Sequence, residues 1–217
     1  MKTTAPRALD YHEISPEISE KLAVFPGDRA YRRSVSLDFR KGDHLGLSSV
    51  ETTVHIGAHA DAPSHYHPKG RAIAERKLDY YLGPCQVIEV DLPRGRRIMP
   101  QDLSRTKIAA ERVLFKTGSF PDPSRWNGDF NSLSPELIEA LHRQGVILAG
   151  IDTPSIDPAE SKRLESHQAI FERDMAVLEG LVLSEVPAGR YTLVALPLRL
   201  KDADAAPVRA ILLKRPL

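Results

Sequence analysis

Apolar positions along this chain gather mostly into short runs of Val, Ile and Leu, and only rarely into stripes with a period near 3.6. Seven runs read as strands: "SVSLDF" from Ser34, "SSVETTVHIG" from Ser48, "CQVIEVDL" from Cys85, "RVLFKTG" from Arg112, "VILAGID" from Val146, "YTLVALPL" from Tyr191 and "VRAILL" from Val208. Two stretches carry a helical pattern. In "SPELIEALHRQG" (residues 134–145), Ser134 can cap, Pro135 suits the first turn, Leu137, Ile138 and Leu141 form the apolar stripe, and Gly145 ends it. The second is "SKRLESHQAIFERDMAVLEG" (residues 161–180), with Leu164, His167, Ile170 and Phe171 near one face. Strands outnumbering helices predict an α/β fold, a mixed sheet with few helices packed on it. The prolines are scattered through turns and no repeat or low-complexity linker interrupts the chain, so 1–217 is expected to form one domain.

Charge narrows the partners. Thirty Lys and Arg against twenty-nine Asp and Glu leave a formal net charge of +1, which gives no reason to expect a nucleic acid or an anionic membrane. The one basic knot, "RGRRIMP" (residues 94–100), has no aromatic residue and follows an apparent strand, so it reads as a solvated loop. The single cysteine, Cys85, lies in an apolar run and reads as a strand residue of a protein in a reducing compartment. "MKTTAPRALDYHEI" lacks the apolar core of a signal peptide, and no run approaches the ~18 apolar residues of a membrane span. A cytoplasmic location is the expectation.

The segment "VHIGAHADAPSHYHPKG" (residues 54–70) changes the picture, because it holds four of the eight histidines. A buried imidazole needs a hydrogen-bond partner or a cation, so such density points to a shared purpose. His55, His59, Asp61 and His65 have the same parity, and an extended backbone would turn them to one side, while Gly57 and Pro63 argue against a helix. Imidazoles with a carboxylate are a donor set for zinc and related divalent ions, and Asp61 has two oxygens with which to bridge a pair. "HYH" (His65, Tyr66, His67) followed by Glu75 also loosely matches a cupin barrel, though the glycine-framed spacing suits it poorly. His67 itself reads as a surface or supporting residue.

"HIGAHADAPSHYH" resembles the His-x-Gly-x-His-x-Asp-x-Pro-x-His signature of the metal-dependent cyclase-like hydrolases. With "AVFPGD", "GIDTPSIDP" and "ALPLRL…APVRAILL", the likeness runs along nearly the whole chain and favours the bacterial kynurenine formamidases, or arylformamidases. The resemblance implies a swivelling β/β/α-like fold, a homodimer, and hydrolysis of N-formyl-L-kynurenine to L-kynurenine and formate. It makes His55, His59 and Asp61 ligands of one ion, with Asp61 reaching a second that His167 and Glu179 complete, Glu179 contacting both. Two Zn²⁺ ions are implied, although the donors would also accept Mn²⁺, Co²⁺ or Fe²⁺. His65 takes the position of proton transfer, and Phe25 that of an aromatic ring facing the substrate.

Without the resemblance, His167 reads as a partly buried helix residue and Glu179 as a solvated acid. Twelve residues separate them, which on an unbroken helix would set them about 120° apart, so their convergence requires the helix to end between them. Asp152, Thr153, Ser155 and Asp157 serve either a pocket wall or a simple turn. Two rival functions share the signature: an isatin hydrolase-like or other amide or lactam hydrolase, and a metal- or ligand-binding module without turnover.

Overall fold

The computed structural model describes residues 10–214. Strand β1 (Tyr11–Glu13) leads to an outlying hairpin, β2 (Arg32–Leu37) and β3 (Leu47–Glu51), then to β4 (His59–Asp61) and a single helical turn, α1 (Pro63–Tyr66). There follow β5 (Leu82–Glu89), β6 (Arg97–Ile98), β7 (Arg112–Lys116), β8 (Ser132–Leu133), α2 (Pro135–Arg143), β9 (Leu148–Ile151) and α3 (Glu165–Glu172). The chain ends with β10 (Ala176–Glu179), β11 (Gly189–Val194), β12 (Ala205–Pro207) and β13 (Ile211–Leu213). Nine strands join in one mixed sheet, ordered β1-β13-β11-β5-β7-β9-β10-β4-β12. Its centre, β5-β7-β9-β10, is parallel, and the strands on both flanks are antiparallel. This is the expected α/β architecture, strand-rich with few helices.

Side-chain alternation explains the apolar runs. Val113 and Phe115 of β7, Ala149 and Ile151 of β9 and Val177 of β10 pack with Leu137, Ile138 and Leu141 of α2 and Ile170 of α3. Leu114, Leu148, Ala176 and Leu178 turn to the opposite core, with Ile14, Leu193 and Leu212. Strands buried on both faces need apolar residues at every position, which is why these runs lack polar alternation. α2 begins as expected: the Ser134 hydroxyl accepts the Leu137 N–H at 3.1 Å and Pro135 occupies the first turn. No helix among the described residues is long and apolar enough to cross a membrane.

Three expectations are corrected. The run from Ser48 does not stay extended to Gly57, because the chain leaves β3 at Glu51 and turns at Gly57 (φ +58°) before entering β4. Pro63 opens a helix in place of excluding one, since a first-turn proline lacks only an N–H that would be unpaired anyway; His65 therefore sits on α1. Only His59 and Asp61 are aligned by strand parity. The third correction is Arg97, which is part of β6 with its side chain three-quarters buried, not in a solvated loop. The second helical pattern does end between His167 and Glu179: α3 stops at Glu172, Asp174 takes a left-handed turn (φ +46°), and "AVLE" pairs as a strand with β9 and β4.

Candidate metal centre

Strand pairing assembles most of this site. β4 lies between β10 and β12, and its register sets Glu179 directly opposite His59. A cross-strand pair has its Cβ atoms side by side, and here His59 Nε2 and Glu179 Oε2 are 3.4 Å apart. Asp61, two residues along, shares the face of His59. The turn at Gly57 carries His55 back over the strand, and α3 delivers His167 from the other side.

Asp61 is the hub. Its Oδ1 lies 2.9 Å from His55 Nδ1 and 3.4 Å from His59 Nε2, while Oδ2 lies 3.3 Å from His167 Nε2. His167 Nε2 is also 3.3 Å from Glu179 Oε1. Three donor groups result among the described residues, the buried pair His55/His59/Asp61 and Asp61/His167/Glu179 and a more exposed one, His55/His65/Asp204, each with ligand atoms within 4.8 Å of one another. In the buried pair all but His55 are fully buried. Despite the short distances, His59 Nε2 and Asp61 Oδ1 have no hydrogen-bond partner of acceptable angle. Buried polar atoms that converge without bonding one another have the arrangement a cation requires.

The outer nitrogens support this. His55 Nε2 donates to Asp204 Oδ2 at 3.0 Å, His59 Nδ1 to the Gly57 carbonyl at 2.8 Å, and His167 Nδ1 to Asp157 Oδ2 at 2.8 Å. Each acceptor holds one ring nitrogen and turns the other toward the centre, as metal-binding histidines require; His167 Nε2 meets Asp61 Oδ2 there at 3.3 Å. Charge adds to the case. Burial disfavours a charged His59, yet Asp61 and Glu179 hold its imidazole up to about 10. Burial would likewise raise Asp61, but His167, His55 and His59 hold its carboxyl well below the usual range. Two buried carboxylates thus demand positive charge, which protons or metal ions can supply, and the donor set fits two divalent ions.

Asp157, read from sequence only as a turn or pocket residue, is a support for His167. Burial would raise its carboxyl, but His167 and the N–H groups of Ser166 and His167 hold it down to about 2. Arg97 locks it from behind, donating to Asp157 Oδ1 at 3.0 Å, to Ser166 Oγ at 2.8 Å and to Glu165 at 2.8 Å. No local signal in "RGRRIMP" marks this arginine; its partners lie about sixty residues away in sequence.

Two glycines let the halves of the site meet. Gly180 has φ +65°, and a Cβ there would lie 2.1 Å from the carbonyl oxygen of Gly57, the same atom that holds His59. Gly180→Ala is therefore expected to cost at least ~2 kcal/mol from left-handed strain and overpacking and to reduce bound metal. A urea denaturation midpoint and a metal assay measured together check this.

His65 stands beside the two buried groups. One-third of its side chain is exposed, its Nδ1 is 3.3 Å from Asp204 Oδ2, and its ring centroid is 4.2 Å from that of His55. The centre opens into a cavity of about 710 Å³. Phe25 lies on its wall, packed edge-to-face on Trp126 at 4.8 Å between centroids, with Phe120 beyond at 6.1 Å. Sequence reading missed Trp126; its signal was a lone tryptophan within the turn-rich "PDPSRWNGDF". His67 stacks on Phe171 at 3.7 Å, away from the donors, as a supporting residue.

By comparison with known proteins the chain is a hydrolytic enzyme. A family model described as "Putative cyclase" matches residues 12–158, and the chain belongs to this family. Among its relatives, the kynurenine formamidase of Bordetella petrii is 45% identical over 201 residues, covering 92% of this chain and 96% of its own. That of Paracidovorax citrulli is 42% identical over 214 residues, covering 96% and 98%. A solved structure described as a predicted metal-dependent hydrolase from Bacillus stearothermophilus superposes with a TM-score of 0.80 at 28% identity, covering 96% of this chain and 100% of that one. Isatin hydrolase A from Ralstonia solanacearum superposes equally well, at 0.80, covering 95% and 92%, but at 18% identity it shares the fold alone.

Proposed function

We propose that this enzyme hydrolyses N-formyl-L-kynurenine to L-kynurenine and formate, with two divalent ions, zinc in our reading, held in the two buried donor groups. The observation that carries the metal reading is Asp61, one of whose oxygens faces His55 and His59 while the other faces His167. The substrate reading rests on the kynurenine formamidases at 41–46% identity over nearly the full chain and on the aromatic wall beside the donors.

His55 Nδ1, His59 Nε2 and Asp61 would hold one ion, and Asp61, His167 Nε2 and Glu179 the other. The chemistry that such a pair supplies is activation of water and polarisation of the formyl carbonyl. The residues of this chain do the rest. Phe25 and Trp126 offer faces for the aryl ring and set the formamide over the donors. Collapse of the tetrahedral adduct must expel an arylamine, a poor leaving group as an anion, and His65 is placed to protonate its nitrogen. Asp204 accepts from His65 Nδ1, which directs the other ring nitrogen outward.

Phe25→Ala is expected to lower kcat/KM by about one to two orders of magnitude through lost aromatic contact and burial, ~1–3 kcal/mol, with metal content unchanged. Steady-state kinetics beside elemental analysis tests it. The proposal extends to one domain in a cytoplasmic homodimer. The β2–β3 hairpin supports the dimer: it pairs with no other strand among the described residues and exposes Val35, Leu47 and Val50, whereas isolated hairpins are marginal in water. The deciding comparison sets purified enzyme against formylkynurenine, isatin and formanilide. Faster turnover of isatin would move the protein to the lactam branch, and turnover of none would leave a binding module.

A further inference from the structure

The aryl formamide reading leaves the substrate's amino-acid tail without a partner. Its carboxylate must enter a cavity that Asp28, Asp152, Glu179 and Asp204 already line, and bound metals offset only the acids at the centre. The tail is zwitterionic: its ammonium group can face these acids, but its carboxylate needs a cation on the wall. Two lysines line the cavity, Lys116 and Lys162. Lys116 is committed elsewhere, donating to the Val186 carbonyl at 3.3 Å and lying 3.5 Å from Glu89. Lys162 is exposed and forms no ion pair with any described residue.

The backbone around Lys162 is fixed. The neighbouring Ser161 hydroxyl accepts the Leu164 N–H at 3.0 Å and donates to Glu165 at 3.0 Å. Leu164 is held in a left-handed conformation (φ +49°), and Glu165 is in turn clamped by Arg97. A lysine anchored at its base on this wall, with an uncommitted ammonium group, is the complement of a carboxylate further from the metals than the scissile amide.

We propose that Lys162 pairs with the carboxylate of the substrate's tail and so selects aryl formamides whose side arm bears a carboxylate. This rests on the function proposed above, and the test separates the two. Metal-loaded wild type, Lys162→Ala and Lys162→Arg are compared on formylkynurenine, on its methyl ester and on formanilide. Lys162→Ala should raise KM for the acid about five- to twentyfold, between the values for an exposed and a charge-assisted pair, with kcat held. It should cause no loss on the ester, whose side arm is cationic, or on formanilide, and Lys162→Arg should keep the preference for the acid. Equal losses on acid and ester, or no loss on either, would overturn the assignment while the formamidase reading stood. A wild type that hydrolyses formanilide but not formylkynurenine would remove that reading and this one together.

Discussion

Asp61→Asn is expected to produce a folded protein that has lost metal and nearly all turnover, with kcat/KM lower by ~10³-fold or more, the scale on which metal-assisted hydrolysis depends on its ions. The substitution keeps the side chain's size, so the packing around a position only 1% exposed is preserved. What changes is charge and donor sense. One carboxylate oxygen becomes an NH₂ that cannot face a cation, and Asp61 is the residue common to both buried groups. Elemental analysis after dialysis, circular dichroism and kinetics form the test. Full metal content with normal turnover would remove Asp61 from the site, and full turnover without metal would remove the metals from the reaction.

His65→Ala should behave differently. Its ring is outside both buried groups, so the variant should keep its metals while kcat falls about 10²–10⁴-fold, the range for a lost general acid. The loss should shrink for a formanilide carrying an electron-withdrawing ring substituent, whose amine leaves with less help from a proton. If His65→Ala lost metal as His59→Ala is expected to, His65 would be a ligand. If the loss were the same for good and poor leaving groups, the proton would come from elsewhere.

These expectations draw on residues that differ in how plainly the sequence marks them. His59 and Asp61 were legible because strand parity alone puts them on one face. His55 and His65 lie in the same motif, but a glycine turn and a helical turn bring them in, and neither geometry follows from alternation. His167 and Glu179 depend on family resemblance. A helix, a left-handed aspartate and a strand separate them, and only the register of β10 on β4 explains why an acid among leucines is not a solvated one. Arg97 carried no usable signal, and Asp157 and Trp126 only an ambiguous one, a turn-like acid and a lone tryptophan, because their roles are set by contacts across sequence separations that no local pattern marks. The central strands were the easiest part of the fold to read, since burial on both faces leaves apolar residues no other explanation.

The division of labour between strands and loops bears on how this scaffold can change. His59, Asp61, Glu179 and His167 lie on β4, β10 and α3, whereas Phe25, Phe120, Trp126 and Lys162 lie on irregular segments. Diversifying residues 120–126 and 158–162 would alter which molecule enters without disturbing the register that gathers the His and carboxylate donors. New substrates are then accessible to this lineage by drift in surface loops, with the hydrolytic apparatus inherited intact.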